Sequence, residues 1–272
     1  MKGLDYYGQV ELPKQTVQDG KIINQKRLLE TVNRLVTKRK WKRKNLFFAV
    51  PDNTVVIREM KIPVALTKEE AIGYLSTQIG ENIHLPFENP AIDVEFLEKN
   101  EEEREILLFA YPKERITDFQ EVFSEVGLKP VAADLTSLSI YRYYIAERTE
   151  KKKHILLIHW NSDALFLTAF QSDKAIFTRH IKIDFDQIEL SNEEMISDHI
   201  IEIQRIMDFY RFSVMNGEAG IECILITGDF SRLNEARKII KEAVNTELYA
   251  FELPDTYTKF IDLFGLGLKP MV

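Results

Sequence analysis

The chain has a single cysteine, Cys223, so no disulfide can close within it. No apolar run is long enough to cross a bilayer, and residues 1–5 (MKGLD) do not begin the apolar core of a secretory signal. These absences predict a cytoplasmic protein. Positive charge is not in excess either. Lys and Arg number 36 against 43 Asp and Glu, for a formal net charge of -7. The surface as a whole is therefore no footprint for nucleic acid, whose phosphates must be neutralised by a basic face. Patterns that announce chemistry are missing as well: HExxH, GxSxG and the Walker phosphate loop do not occur, and one cysteine excludes a zinc cluster built from cysteines. His154, His159 and His180 fall close together, but strand parity sends His154 and His159 to opposite faces, whereas metal ligation needs imidazoles that converge. There is no fixed-period repeat and no low-complexity tract. The expectation is a chain without a metal and without a catalytic constellation.

What is present is a run of well-punctuated elements in 272 residues, enough for two domains or one two-lobed unit. Alternation predicts strands over 6–12 and 45–50, with a helix over 24–38 between them, a β-α-β opening. A strand over 55–62 stops at Pro63. Thr67 to Glu70 reads as a capping box that starts a helix reaching about residue 83. Strands over 91–99 and 105–111 flank the acidic turn 100–104. A helix over 114–126 closes on Gly127 as a left-handed cap, and 129–133 returns as a strand. The stretch 55–133 thus reads β-α-β-β-α-β, a small α+β unit. A helix over 135–148 leads through the lysine run 151–153 to two or three strands within 154–181. A long helix starting at residues 191–194 carries Ile196, Ile200, Ile203, Met207 and Tyr210 on one face. It is followed by a buried strand over 222–227, a helix over 232–244, a short strand over 247–251 and an apolar helix over 260–268.

Four features invite a functional reading beside a structural one. Residues 38–44 (KRKWKRK) are the one concentrated basic segment. They suit either the C-terminal dipole of the preceding helix or an anionic membrane surface or acidic partner. Cys223 lies in an apolar strand pattern and reads as a small buried hydrophobe. Asp134 stands where a strand meets a helix, placed to cap that helix or to hold a hydrated cation near a phosphate chain. Residues 227–231 (TGDFS) join a strand to a helix, a position where α/β folds bind ligands, although structural turns also call for glycine.

Taken in order, residues 7–13 (YGQVELP), 19–23 (DGKII), 49–51 (AVP), 55–63 (VVIREMKIP), 85–88 (LPFE) and 127–131 (GLKPV) resemble the landmarks of the PilM family, the actin-like proteins of type IV pilus assembly. More distantly they resemble the cell-division protein FtsA. Residues 209–211 (FYR), 224–228 (ILITG) and 265–268 (GLGL) resemble the long helix, adenosine turn and last connecting helix of that core. The resemblance implies an α/β, two-lobed, actin-like (ribonuclease H-like) fold with an inserted small α+β domain. First-lobe residues are expected at 1–54, the insertion at 55–133 and the second lobe at 134–272. It also implies that the family's N-terminal strand pair, with its first phosphate loop, is missing from this sequence.

If a nucleotide site is retained, the resemblance places Asp134, Asn161, Ser162, Gly228 and Asp229 around it. Yet residues 159–162 (HWNS) stand where the family carries an acid and a glycine, which sets an aromatic side chain where backbone must approach phosphate, and Asp229 and Phe230 follow Gly228 where glycines are usual. The site is therefore expected to be degenerate, with ATP and magnesium expected only in a longer chain that retains it, and the protein is expected to be a scaffold without enzyme activity. The implied partner is the N-terminal tail of a PilN-like inner-membrane protein. It would dock in a groove between the β-α-β opening and residues 55–133 and bring the chain to the inner face of the plasma membrane. A pilus assembly ATPase and self-association are further expectations. Two other readings stand beside this one: a working ATPase completed by the missing strands, and a scaffold of the GspL kind from type II secretion.

Overall fold

The computed structural model describes residues 8–183, 192–251, 253 and 255–270. The expected start of the long helix at Ser191, and Tyr6 and Tyr7 of the expected first strand, lie outside the described residues.

The opening differs from expectation. Residues 8–12 form no strand; Val10 and Leu12 are exposed, so their alternation marks no buried face. A two-residue hairpin follows instead, β1 (Val17–Gln18) against β2 (Lys21–Ile22). Its loop residues Asp19 and Gly20 have φ of 49° and 70°, the conformation an Asp-Gly hairpin turn supplies. Helix α1 (Gln25–Arg39) is capped by Asn24, whose side chain accepts from the Arg27 N–H at 3.1 Å. Strand β3 (Asn45–Val50) pairs in parallel with β7 (Lys129–Leu135), its one strand partner among the described residues. The expected β-α-β opening is thus replaced by a two-stranded sheet whose second strand comes from far along the chain.

Between those strands lies an antiparallel sheet in the order β4 (Val56–Pro63), β6 (Glu103–Pro112), β5 (Pro90–Lys99). Helix α2 (Lys68–Gln78) covers one face, packing Ala71 and Leu75 on Ile62, Val94, Ile106 and Leu108. Thr67 and Glu70 make both halves of the expected capping box. The helix ends at Gln78, short of the expected residue 83, because Gly80 turns the chain at φ 90° and donates its N–H to Ile83 O. Helix α3 (Lys113–Glu125) leaves this sheet and packs Phe119 and Phe123 on Phe48 of β3. The β-α-β-β-α-β run therefore divides between two sheets.

The remainder is built on a five-stranded sheet, in the order β10 (Lys174–Lys182), β9 (Ala164–Gln171), β8 (His154–Trp160), β11 (Cys223–Thr227), β12 (Glu247–Tyr249). Its central strands are apolar on both faces because both faces are covered. Leu156, Ile158, Trp160, Ile224 and Ile226 face α5 (Asn192–Phe209) and α6 (Leu233–Ala243). Ile155, Leu157, Cys223 and Leu225 face α4 (Thr136–Glu147) and, near the C-terminus, α8 (Ile261–Gly267), which follows the single turn α7 (Asp255–Thr258). Helices α4 and α8 cross so closely that a Cβ on Gly265 would lie 1.7 Å from Ser139 O. Helix α5 runs on into a π-helical turn, Tyr210–Val214, where the buried Tyr210 hydroxyl meets Nδ1 of His154 at 2.6 Å.

Candidate functional site

A cavity of about 380 Å³ is a groove between the β3–β7 sheet and the antiparallel sheet, floored by the start of α4. Its apolar wall includes Val50, Val55, Phe109 and Leu138, and the opposite rim is Ala91 to Glu95 of β5. Among the described residues β5 pairs on one side only, with β6, so this rim is a sheet edge with main-chain donors and acceptors unclaimed by another strand. Tyr111, 5% exposed, lines the groove and among the described residues its hydroxyl makes no hydrogen bond, although Thr54 and Arg115 lie near it. Burial raises the pKa of that hydroxyl. Asp134 forms the polar floor, held by Arg142 at 2.8 Å and Lys269 at 3.1 Å, with Ser139 Oγ donating to it at 3.1 Å. A buried carboxylate with two cations and a hydroxyl is a satisfied cluster that leaves a net positive charge facing the groove. At the rim, Lys68 pairs with Asp93 at 2.7 Å, and Lys174 of β10 pairs with Glu95.

Asp134 does not cap α4, contrary to one expectation. The cap comes from Asp52, in the 3₁₀ turn after β3, which accepts from both the N–H and the hydroxyl of Ser137. Asp52 is buried, and burial raises its pKa to about 6 despite the Ser137 bonds, with the nearby Asp134 charge adding to the rise. Sequence spacing hid this contact, because 85 positions separate the two partners. The one local signal was an aspartate two residues past the end of a strand.

Asn161, Ser162, Gly228 and Asp229 do converge, at the facing ends of β8 and β11. The Ser162 N–H donates to Asp229 Oδ1 at 2.9 Å, and the Asp229 N–H donates to Asn161 Oδ1 at 3.4 Å. Gly228 has φ 130° and is pressed on its neighbour: a Cβ there would lie 1.9 Å from Trp160 O. Trp160 does not project into the turn as expected. Its ring is fully buried beneath the turn, stacked on Phe230 at 4.9 Å within the core shared with α5 and α6. Asp134 stands apart from these four, engaged with the groove cations. Beside the turn, Gly228, Asp229, Arg237, Thr258 and Lys259 line a shallower cavity of about 180 Å³. Asp262 of α8, near Asp229, is also driven by burial to a pKa of about 6.

The other candidates take structural places. His154 and His159 point to opposite faces, the first to Tyr210 and the second to Phe166 with ring centroids 6.0 Å apart. Burial pushes the His159 imidazole down to about 4, so it stays neutral at pH 7. His180 stacks on Phe166 from β10. Burial pushes the Cys223 thiol up to about 11, which removes thiolate reactivity. Among the described residues no group of three or more His, Cys, Asp or Glu is placed to hold a metal ion, and no helix is long and apolar enough to cross a membrane.

A family model described as "Type IV pilus assembly protein PilM" matches residues 2–198. Among solved structures, the PilM-PilN type IV pilus biogenesis complex superposes with a TM-score of 0.74 at 17% identity, over 94% of this chain and 88% of that one. The ethanolamine utilization protein EutJ from Carboxydothermus hydrogenoformans gives a TM-score of 0.50 at 9% identity, over 93% and 77%. A Bacteroides thetaiotaomicron protein with an actin-like ATPase fold gives 0.47 at 16% identity, over 89% and 82%. No match was found among curated protein sequences. The fold is actin-like, and with a family model spanning most of its length the chain belongs to the family of the type IV pilus assembly protein PilM.

Proposed function

We propose that this protein is a cytoplasmic scaffold of a type IV or competence pilus machine. It binds the N-terminal tail of a PilN-like membrane protein in the groove above Asp134 and carries a degenerate nucleotide site. Residues 1–54 and 134–272 contribute the two lobes, and residues 55–133 the inserted domain. The observation that carries this reading is the groove itself. It offers an apolar trough for alternate side chains, the free edge of β5 for the main chain of an extended peptide, and polar anchors in Tyr111 and the Arg142–Asp134–Lys269 cluster. A partner named in a solved complex of the same fold agrees with it.

The degenerate site rests on the opposing turns. A phosphate chain is held by backbone N–H groups that point at it. Here the Ser162 N–H is taken by the Asp229 carboxylate and the Asp229 N–H by Asn161, so the chain fills its own donors and sets a negative charge beside them. These residues do not fit a nucleotide with its magnesium. The expected outcome is retention of the protein on an immobilised PilN-like tail together with no heat of binding on titration with ATP and magnesium. Loss of retention overturns the scaffold reading; ATP binding restores the alternative of a working ATPase.

A further inference from the structure

The groove and the turns leave unused the one concentrated basic segment, residues 38–44. In the fold it forms the last residues of α1 and the tight loop joining α1 to β3, laid against the turn that joins α3 to β7. The Trp41 N–H donates to Val36 O, the Arg43 N–H to Gly127 O at 2.6 Å, and the Lys129 N–H to Lys44 O at 2.9 Å. The Lys42 side chain passes over Gly127, and a Cβ there would stand 3.6 Å from Lys42 Cγ. The result is a hydrogen-bonded, preorganised platform on which Lys38, Lys40, Lys42, Arg43, Lys44 and Lys129 are all exposed. Among the described residues, none of the six is in an ion pair.

Two of those cations sit where the backbone disfavours them. Lys40, at the C-cap of α1, has φ 57°, and Arg43 has φ 66°. Both are left-handed conformations that glycine adopts freely and a side chain with a Cβ adopts at a cost in stability. Glycine is the usual residue where a helix ends in this conformation. The rest of the chain is strongly acidic, since the whole has a net charge of -7. Near an anionic plane the molecule is therefore turned with this loop inward.

We propose that this loop is a docking face for an anionic lipid bilayer, whose headgroup phosphates the six cations engage together. A polybasic cluster of this size is what such a surface attracts. Trp41, half-buried at the centre of the loop, places an amphipathic ring at the level of the headgroups. A nucleic acid is the poorer fit, because the loop offers no fully exposed aromatic ring on which a base could stack. The inference does not depend on the groove or its occupant.

The test is flotation of the intact protein with vesicles of phosphatidylcholine, and with vesicles of phosphatidylcholine and phosphatidylglycerol in equal parts, at low and high salt. The expected result is capture by the anionic vesicles alone, weakening as salt rises. In the double variant Lys40→Gly, Arg43→Gly, capture should weaken by about fivefold for each cation removed, while the melting temperature holds or rises because the backbone strain is relieved. The triple variant Lys38→Glu, Lys42→Glu, Lys44→Glu should lose capture. Absence of flotation with anionic vesicles overturns the proposal, as does capture that the variants leave unchanged. Retention of a DNA duplex without flotation would assign the loop to a nucleic acid instead.

Discussion

Asp52 does more for this fold than its place in an unremarkable loop suggests. It reaches from the end of β3 to the first turn of α4, taking both donors of Ser137, and it is buried beside Asp134. Its carboxyl pKa is raised from 3.8 to about 6, so between those values the native state holds a proton that the unfolded chain has released. Stability from this residue is therefore greatest at low pH and falls as pH rises through that window. Asp262 acts in the same sense. Asp173 acts in the opposite one: the Arg148 guanidinium, with Lys151 and Tyr141, holds its carboxyl down at about 2, and that contribution is lost as pH falls below about 4. Asp52→Asn keeps a carbonyl acceptor for Ser137 and removes the titration. Urea unfolding at pH 5 and pH 7 should show the wild type losing about 1 kcal/mol more than this variant across the interval. An identical pH dependence in the two proteins would mean that Asp52 ionises normally.

At the level of elements, the sequence was legible wherever the signal was local. The capping box at Thr67 and Glu70, the β3 bounds, the Gly127 cap at φ 87° and the inward stripe of α5 all follow from patterns within a few residues. What depended on a distant partner was not legible. Alternation over residues 6–12 could not reveal that no strand among the described residues pairs with 8–12, and Trp160 could not be seen to face the core until Phe230 was beside it. Asp134 stood out, but as a helix cap rather than as the partner of Arg142 and Lys269. Glycine makes the same point at the α4–α8 crossing. Gly265→Ala puts a Cβ onto Ser139 O, a backbone atom that cannot swing aside, so the helices must part; a loss on the order of 3 kcal/mol or more is expected. Gly267, two residues on in α8, has nothing within 4 Å, and Gly267→Ala should hold or raise stability. Thermal melts of the pair test the close approach: equal melting temperatures would rule it out.

For the whole molecule, the arrangement separates two places where an actin-like fold could meet a ligand. The facing ends of β8 and β11 are closed by contacts among Asn161, Ser162 and Asp229 over a buried aromatic stack. The groove between the β3–β7 sheet and the β4–β6–β5 sheet is open, apolar along one wall and edged by a strand that, among the described residues, is paired on one side only. The opening of the chain, expected as β-α-β, leaves β3 with β7 as its one strand partner among the described residues, so the groove wall is carried by a small sheet steadied by α3 and α4. Function in this account follows the open place. The most direct measurement is calorimetric titration of a synthetic N-terminal tail of the PilN-like protein into the wild type and into Ala91→Glu, which sets a charged side chain on the β5 rim without touching the Asp134 cluster. The account predicts saturable heat with the wild type and at least about a tenfold weaker affinity with the variant, at unchanged melting temperature. Equal affinity in the two would place the tail elsewhere on the molecule, and no heat from the wild type would contradict the account.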